Sequence, residues 1–361
     1  MTIEFIGFAA TQEFSETTGV GAGPAVDREY LRTVAAAHEG SGFDRVLIAH
    51  SSSSPDGFVI ADQVLTATSR LGVLLAHRPG FLAPTLAARA FATLDAFHPD
   101  RVALHVITGG DDADQRRDGD FTDKVTRYAR TDDFLTVLRK EWDSEAPFDH
   151  EGEFYQVAQG WSSVRPGGRI PIYFGGASED AVRVGGKHAD VYAFWGEPLD
   201  GIRERIAQVR AAAAPYGRTT RFSVSLRPIV ADTEEAAWAR AEEILEKTRE
   251  RVTESGSIFK KLDHSEQHGS QRLLDAAAQG DVHDKRLWTA VARATGAAGN
   301  STALVGSYEQ VAESLLDYTD LGVTTLLIRG FDPLEDARAY RRVIDLVREG
   351  VARRTPEAVS A

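Results

Sequence analysis

Tyr173-Phe-Gly-Gly-Ala-Ser178 is the stretch best equipped to hold a phosphate. The apolar run from Ile170 to Phe174 reads as a strand. Gly175 and Gly176 permit a tight turn and a close approach by a ligand. Ser178 is a good N-cap, and the amides of a helix that starts there lack intrahelical partners, which suits an anion. Glu179 and Asp180 complement the helix dipole but repel a phosphate, so the turn by itself also fits ordinary strand-to-helix architecture. Arg227 lies late in another apolar run, just before Pro228. A buried guanidinium needs a carboxylate or a ligand, and its planar fork matches an oxyanion. Trp195 ends a further run, where an aromatic can pack on a flat cofactor or cap a core. His50 and His77 each close a strand. A lone imidazole there is most often a structural hydrogen-bonder, with contact to a cofactor or substrate as the alternative.

Other constellations carry less. His264 and His268 are four apart, with His283 further on. That spacing can put two imidazoles on one helix face, but no clear apolar face or third fixed ligand accompanies them, so no metal site is expected. Lys260, Lys261 and Arg272 could clamp an anion, although charge runs usually face water. Ser51 to Ser54 lack a G-x-S-x-G elbow, and Gly19 to Gly23 open no dinucleotide-binding helix. The absence of cysteine excludes disulfides, thiolate metal sites and a cysteine nucleophile, and fits a cytoplasmic protein. A formal net charge of −13 argues against nucleic acid or an anionic membrane as the main partner. No basic n-region with an apolar core opens the chain, and no apolar run reaches the ~18 residues of a membrane span.

The elements that must position these residues follow one rhythm of strand, loop and helix. Strands are expected over residues 3–9, 45–50, 72–77, 101–108, 170–174, 189–194, 222–230 and 323–328, with helices over 27–40, 58–69, 86–97, 125–142, 233–250 and 334–347 among others. Residues 111–122 read as a polar insertion and 148–157 as a small hairpin. The strands are mostly continuous apolar runs, as in parallel strands buried on both faces. Eight such units point to an α/β fold, a TIM (β/α)8 barrel with insertions, in a single domain over residues 1–361. More than ninety residues separate the seventh and eighth strands. Their polar, glycine-bearing part, about 255–285, is expected to be a lid, a disordered segment or an oligomer contact at the face where barrel enzymes place their sites.

Taken in order, a series of short motifs resembles the bacterial luciferase-like, flavin-dependent monooxygenases, and most closely the alkanesulfonate monooxygenases, over nearly the whole chain. The motifs are Ala76-His-Arg-Pro79, Ala87-Ala-Arg-Ala-Phe-Ala-Thr-Leu-Asp95, Val106-Ile-Thr-Gly-Gly110, Arg127-Tyr128, Gly152-Glu-Phe-Tyr155, the Tyr173–Ser178 turn, Trp195-Gly-Glu-Pro198, Thr302-Ala-Leu-Val-Gly306 and Gly322-Val-Thr-Thr-Leu-Leu-Ile328. The resemblance implies a TIM barrel with a mobile lid that takes reduced FMN, as a co-substrate, from a separate NAD(P)H-dependent flavin reductase. It implies that O₂ is activated on the flavin, that a C–S bond is cleaved to an aldehyde plus sulfite, and that the chain forms a homodimer or homotetramer. It also implies that Thr108 lies near the flavin, that Tyr128 and the Gly176-Ala177-Ser178 turn hold its phosphate, and that Trp195 lines the cavity. His77 joins them as a candidate cofactor contact.

The chain departs from that pattern at the substrate end. Ser54 stands where the family has a cysteine, and Ser225-Leu-Arg227 where it has Arg-x-His. Phe331 and Pro333 replace a tyrosine and a histidine, and Gln12 a further histidine. Arg293 is the nearest counterpart of an arginine at the far end of the lid. Two readings follow. One is a sulfonate enzyme whose anion clamp is rebuilt from Arg227 and Arg293. The other applies the same flavin chemistry to a sulfone, an amine or a carbonyl compound. A deazaflavin-dependent oxidoreductase and a non-catalytic flavin binder stand as further alternatives.

Overall fold

The computed structural model describes residues 2–15, 19–20, 23–254, 267–297 and 299–354. The fold is an α/β barrel of the TIM type with extra strands and insertions. Its described chain forms two compact units, Met1–Val46 with Ala193–Ala207 and Arg221–Ala361, and Leu47–Tyr192 with Gln208–Thr220.

The first unit starts with β1 (Glu4–Phe8) and α1 (Arg28–Gly40), and the unit boundary falls inside β2 (Arg45–Ile48). In the second unit follow α2 (Gly57–Ala67), β3 (Gly72–His77), α3 (Pro84–Phe97), β4 (Val102–Val106), α4 (Asp112–Arg117), α5 (Lys124–Asp143), the hairpin Phe148–Glu151 with Gln156–Gly160, β5 (Ile172–Gly175) and α6 (Glu179–His188). β6 (Val191–Trp195) crosses the second boundary, and α7 (Leu199–Ala213) the next. The rest of the first unit contains β7 (Arg221–Ala231), α8 (Glu234–Glu254), α9 (His268–Gln279), α10 (Ala290–Thr295), β8 (Ala303–Ser307), α11 (Tyr308–Asp320), β9 (Val323–Ile328) and α12 (Pro333–Arg354).

Parallel pairing explains the apolar runs. In the second unit β3 pairs with β4 from Val73↔Val102 to His77↔Val106, and β4 with β5 at Leu104↔Ile172 and Val106↔Phe174. Every residue of β3 is buried, as a parallel strand covered on both faces requires. In the first unit β1 pairs with β9, and β9 with the first half of β7. At Leu226 the partner of β7 changes. From Arg227↔Ala303 to Ala231↔Ser307 it pairs in parallel with β8 instead.

Helix starts follow the side chains available to cap them. Asp27 accepts from the Glu29 and Tyr30 amides ahead of α1, Asp56 caps α2 and Asp123 caps α5. The polar insertion 111–122 holds a helix that hydropathy does not announce, because α4 is short and charged and is started by Asp111. β8 and α11 were also not expected as elements. Their signal is the capping box at Ser307 and Gln310.

The 255–285 segment divides. Residues 255–266, with Lys260, Lys261 and His264, lie outside the described residues. The remainder holds α9 and the short strand Val282–His283, which pairs antiparallel with Leu287–Trp288 just beyond it.

Candidate active site

In the second unit, the turn after β5 brings three of the expected residues together. Gly176 has φ +144°, and a Cβ on it would meet the Ala181 Cβ at 2.5 Å and the Tyr128 hydroxyl at 3.1 Å. The Tyr128 hydroxyl therefore lies directly against the Gly176 backbone. Tyr192 donates its hydroxyl to the Gly176 carbonyl at 2.9 Å and fixes the turn from below. Ser178 is the N-cap of α6, with Oγ accepting from the Ala181 amide at 3.3 Å. Gly176 is exposed while Tyr128 is buried. An exposed helix start with a tyrosine hydroxyl beside it offers donors of the kind that can hold an anion.

Thr108, two residues past β4, is buried and its Oγ1 has no hydrogen-bond partner. The carbonyl of the same residue accepts from Gln115 of α4. A buried hydroxyl without a partner costs free energy unless a ligand satisfies it, so Thr108 fits contact with a polar edge of a bound cofactor. His77 is placed differently. Its ring is packed among Phe58, Phe91 and Phe134, with centroids 5.6 to 6.1 Å away. Burial, helped by the neighbouring His50, pushes its pKa down to about 4. It is a neutral imidazole in an aromatic cage, with Nε2 unpartnered. Burial and the Arg78 charge also lower the pKa of His50.

Ser54 is exposed, and its oxygen accepts from the Ser51 amide at 3.0 Å. It closes a local turn. The serine of this loop with long-range contacts is Ser52, which donates from N and Oγ to Asp114 of α4 at 3.1 and 2.5 Å. Arg78 reaches the other oxygen of the same carboxylate. Burial works against the Asp114 carboxylate, but the bonds from Ser52 and Arg78 outweigh it and lower its pKa. Six residues of helix thus tie the loops after β2, β3 and β4 to one another. The sequence carries no sign of this, since the partners are up to 62 positions apart.

In the first unit, Arg227 is the first residue of β7 that pairs with β8. It is 4% exposed. Its Nε donates to the Asn300 carbonyl at 2.7 Å, and its guanidinium lies 4.8 Å from the centre of the Phe331 ring. Asn300 also donates to Ser225 at 2.9 Å. The two departures Ser225 and Arg227 are therefore served by one residue. Phe331 belongs to the core formed with Trp288, Val305 and Ile229. Trp195, at the end of β6, packs on the Leu273, Ala292 and Ala297 cluster and against Gly269, where a Cβ would meet the indole at 3.0 Å.

Arg272 of α9 grips the buried Glu197 through Nε at 2.8 and 2.9 Å and Nη2 at 2.6 Å. Arg293 bonds the Ala277 carbonyl and pairs with Asp281 at 2.6 Å, tying α10 to the end of α9. His283 donates to carbonyls of Ala276 and Gly280. No helix among the described residues is long and apolar enough to cross a membrane.

A family model described as luciferase-like monooxygenase matches residues 3–325. Among solved structures, the chain is similar to a riboflavin lyase with modified FMN and substrate riboflavin, at 20% identity over 97% of this chain and 92% of that one, with a TM-score of 0.80. It is also similar to the EDTA monooxygenase of Chelativorans sp. BNC1, at 18% identity over 98% and 94% of the two chains, TM-score 0.76. A third is an F420-dependent secondary alcohol dehydrogenase in complex with an F420-acetone adduct, at 16% identity over 96% and 99%, TM-score 0.69. At such identities these likenesses speak for the fold.

Proposed function

The chain belongs to the luciferase-like monooxygenase family, and from that premise we propose that it is the oxygenase of a two-component system. It takes reduced FMN from an NAD(P)H-dependent flavin reductase and uses O₂ to oxidise a small organic substrate in the cytoplasm, as a homo-oligomer. The observation that carries the cofactor assignment is the cradle at Gly176, with the Tyr128 hydroxyl against a capped helix start. Gly176, Ala177, Ser178 and Tyr128 would hold the phosphate, and the unpartnered Thr108 hydroxyl would meet the ring system. Bound reduced flavin would supply the activation of O₂. The task left to the chain is to bind, orient and keep water away.

For the substrate, desulfonation of an alkanesulfonate to aldehyde and sulfite is the leading reading. Arg227 is its anchor, a buried guanidinium fixed by Asn300 and Phe331 within β7. Arg293, Trp195 and Ser54 complete the set proposed from the family pattern. The packing of Phe331 in an apolar core, in place of the family's tyrosine, favours the second reading, the same chemistry on a sulfone, amine or carbonyl compound.

Anaerobic titration tests the cofactor: reduced FMN binds more tightly than oxidised FMN, and failure of either to bind refutes the assignment. A substrate panel with reductase, FMN and NADH, assayed for sulfite, tests the reaction. Turnover without O₂ would instead indicate a deazaflavin enzyme. Arg227→Ala is expected to raise KM for an anionic substrate about tenfold or more, equivalent to ~1.4 kcal/mol, with flavin affinity little changed. Equal loss of both would make Arg227 structural or flavin-facing.

A further inference from the structure

At the opposite ends of the strands that lead to the phosphate cradle, three arginines converge on one carboxylate. Asp190, just before β6, accepts from Arg169 at 2.6 Å and Arg218 at 2.8 Å on one oxygen. Its other oxygen accepts from Arg139 at 2.7 Å and from the Ile172 amide at 2.9 Å. Both oxygens are thus doubly occupied. Arg218 also donates to the carbonyls of His188 and Ala189, and Arg139 to that of His188. The neighbouring carboxylate Asp132 is taken by Lys187, His188 and Arg183. All of these residues belong to the second unit.

One arginine would neutralise Asp190 and pin the start of β5. Three leave two positive charges in excess, on side chains of which Arg139 and Arg218 are largely covered. Like charges held this close repel, and desolvation adds to the cost. Consistent with that, burial lowers the pKa of Arg139, Asp190 opposes the shift, and Arg169 and Arg218 reinforce it. The Nε of Arg218 is buried and has no hydrogen-bond partner. Arg169 by contrast is 63% exposed, so the cluster opens to solvent on one side. All this occurs in a chain of net charge −13.

We propose that Arg139, Arg169 and Arg218 form a binding site for a doubly charged tetrahedral oxyanion, either an inorganic phosphate or sulfate or the phosphoryl group of an organic phosphomonoester. Guanidinium groups sharing one acceptor present several N–H donors to such an ion, and its two charges balance the excess. The site lies at the N-terminal ends of β5 and β6, where barrels place stabilising rather than catalytic features. Its occupant therefore supports the fold and takes no part in the oxidation.

Thermal unfolding of the flavin-free protein provides the test. Inorganic phosphate or phenyl phosphate is titrated against sodium chloride at matched ionic strength, with wild type and R169Q in parallel. Arg169 makes its contact from an exposed position, so R169Q is expected to fold. Wild type should show a saturable rise in unfolding temperature that R169Q loses in large part. R169Q leaves the Gly176 cradle intact, so binding there contributes equally to both proteins. A saturable, Arg169-dependent response to both probes supports a phosphoryl site, and one to the inorganic ion alone supports a counter-ion site. An unsaturable rise, or identical curves for the two proteins, overturns the proposal. Isothermal calorimetry with the same two probes guards against a folding defect in R169Q, because wild type must then bind one more equivalent than the variant.

Discussion

Gly176 leaves the least room for change of any residue in the cradle. A methyl group there would sit 2.5 Å from Ala181 in a backbone conformation at φ +144° that other residues rarely adopt. Gly176→Ala is therefore expected to destabilise the protein by about 1–3 kcal/mol and to weaken reduced FMN about tenfold or more, worth ~1.4 kcal/mol. Denaturant unfolding and anaerobic titration would measure the two effects separately. The histidines give a second expectation. Burial holds His38, His77 and His105 at pKa values of about 4, well below the ~6.5 of an unfolded chain. The folded state keeps them neutral, while the unfolded state takes up protons first as pH falls. Their contribution is fully present above about pH 6.5 and is lost as pH drops towards 4, with a slope of up to ~1.4 kcal/mol per pH unit for each histidine. Urea midpoints at pH 7, 6 and 5 should fall progressively. A flat profile down to pH 5 would mean the imidazoles are not desolvated.

At the scale of elements, the hold of α9 on Glu197, two residues past β6, is the contact most open to test. Glu197 is buried and Arg272 meets it with a forked guanidinium. Arg272→Ala strands a buried carboxylate and should cost about 3–5 kcal/mol. Glu197→Gln combined with Arg272→Ala should cost less than the two single changes together, and thermal unfolding of the four proteins would show it. The elements themselves were largely legible. Continuous apolar runs gave the eight barrel strands within a residue or two, and Ser178 marked the start of α6. β8 is hard to see because its apolar run, Ala303-Leu-Val305, is too short to stand out as a strand. α4 escaped because a six-residue charged helix has no apolar stripe. Of the site, the Gly176–Tyr128 contact followed the family pattern. The Ser52–Asp114–Arg78 lock and the arginines on Asp190 were not legible, because ion pairs between distant residues leave no periodicity in a sequence. Arg293 and Arg272 looked like lid cations, yet their guanidiniums bind Asp281 and Glu197, which only the packing of α9 reveals.

For the molecule as a whole, the net charge of −13 sets a sign. On the proposed cofactor assignment, an anionic flavin would approach against the global field and be held only at short range by helix amides. Added salt screens the repulsion within a Debye length of about 8–10 Å at moderate ionic strength. The association rate of reduced FMN should therefore rise with sodium chloride. Stopped-flow mixing between low and moderate salt would check this, and a falling rate would point to a dominant basic entrance. The fork midway along β7 bears on history as well. That strand pairs with β9 as far as Leu226 and with β8 from Arg227 onward. The chain leaves it at Ala231 and returns beside it at Ala303. Everything between is a cassette with both ends stapled to one strand. Lengthening, shortening or exchanging it leaves the register of β7 with β9 intact, so relatives could trade segments there, as could an engineer, while inheriting the scaffold unchanged.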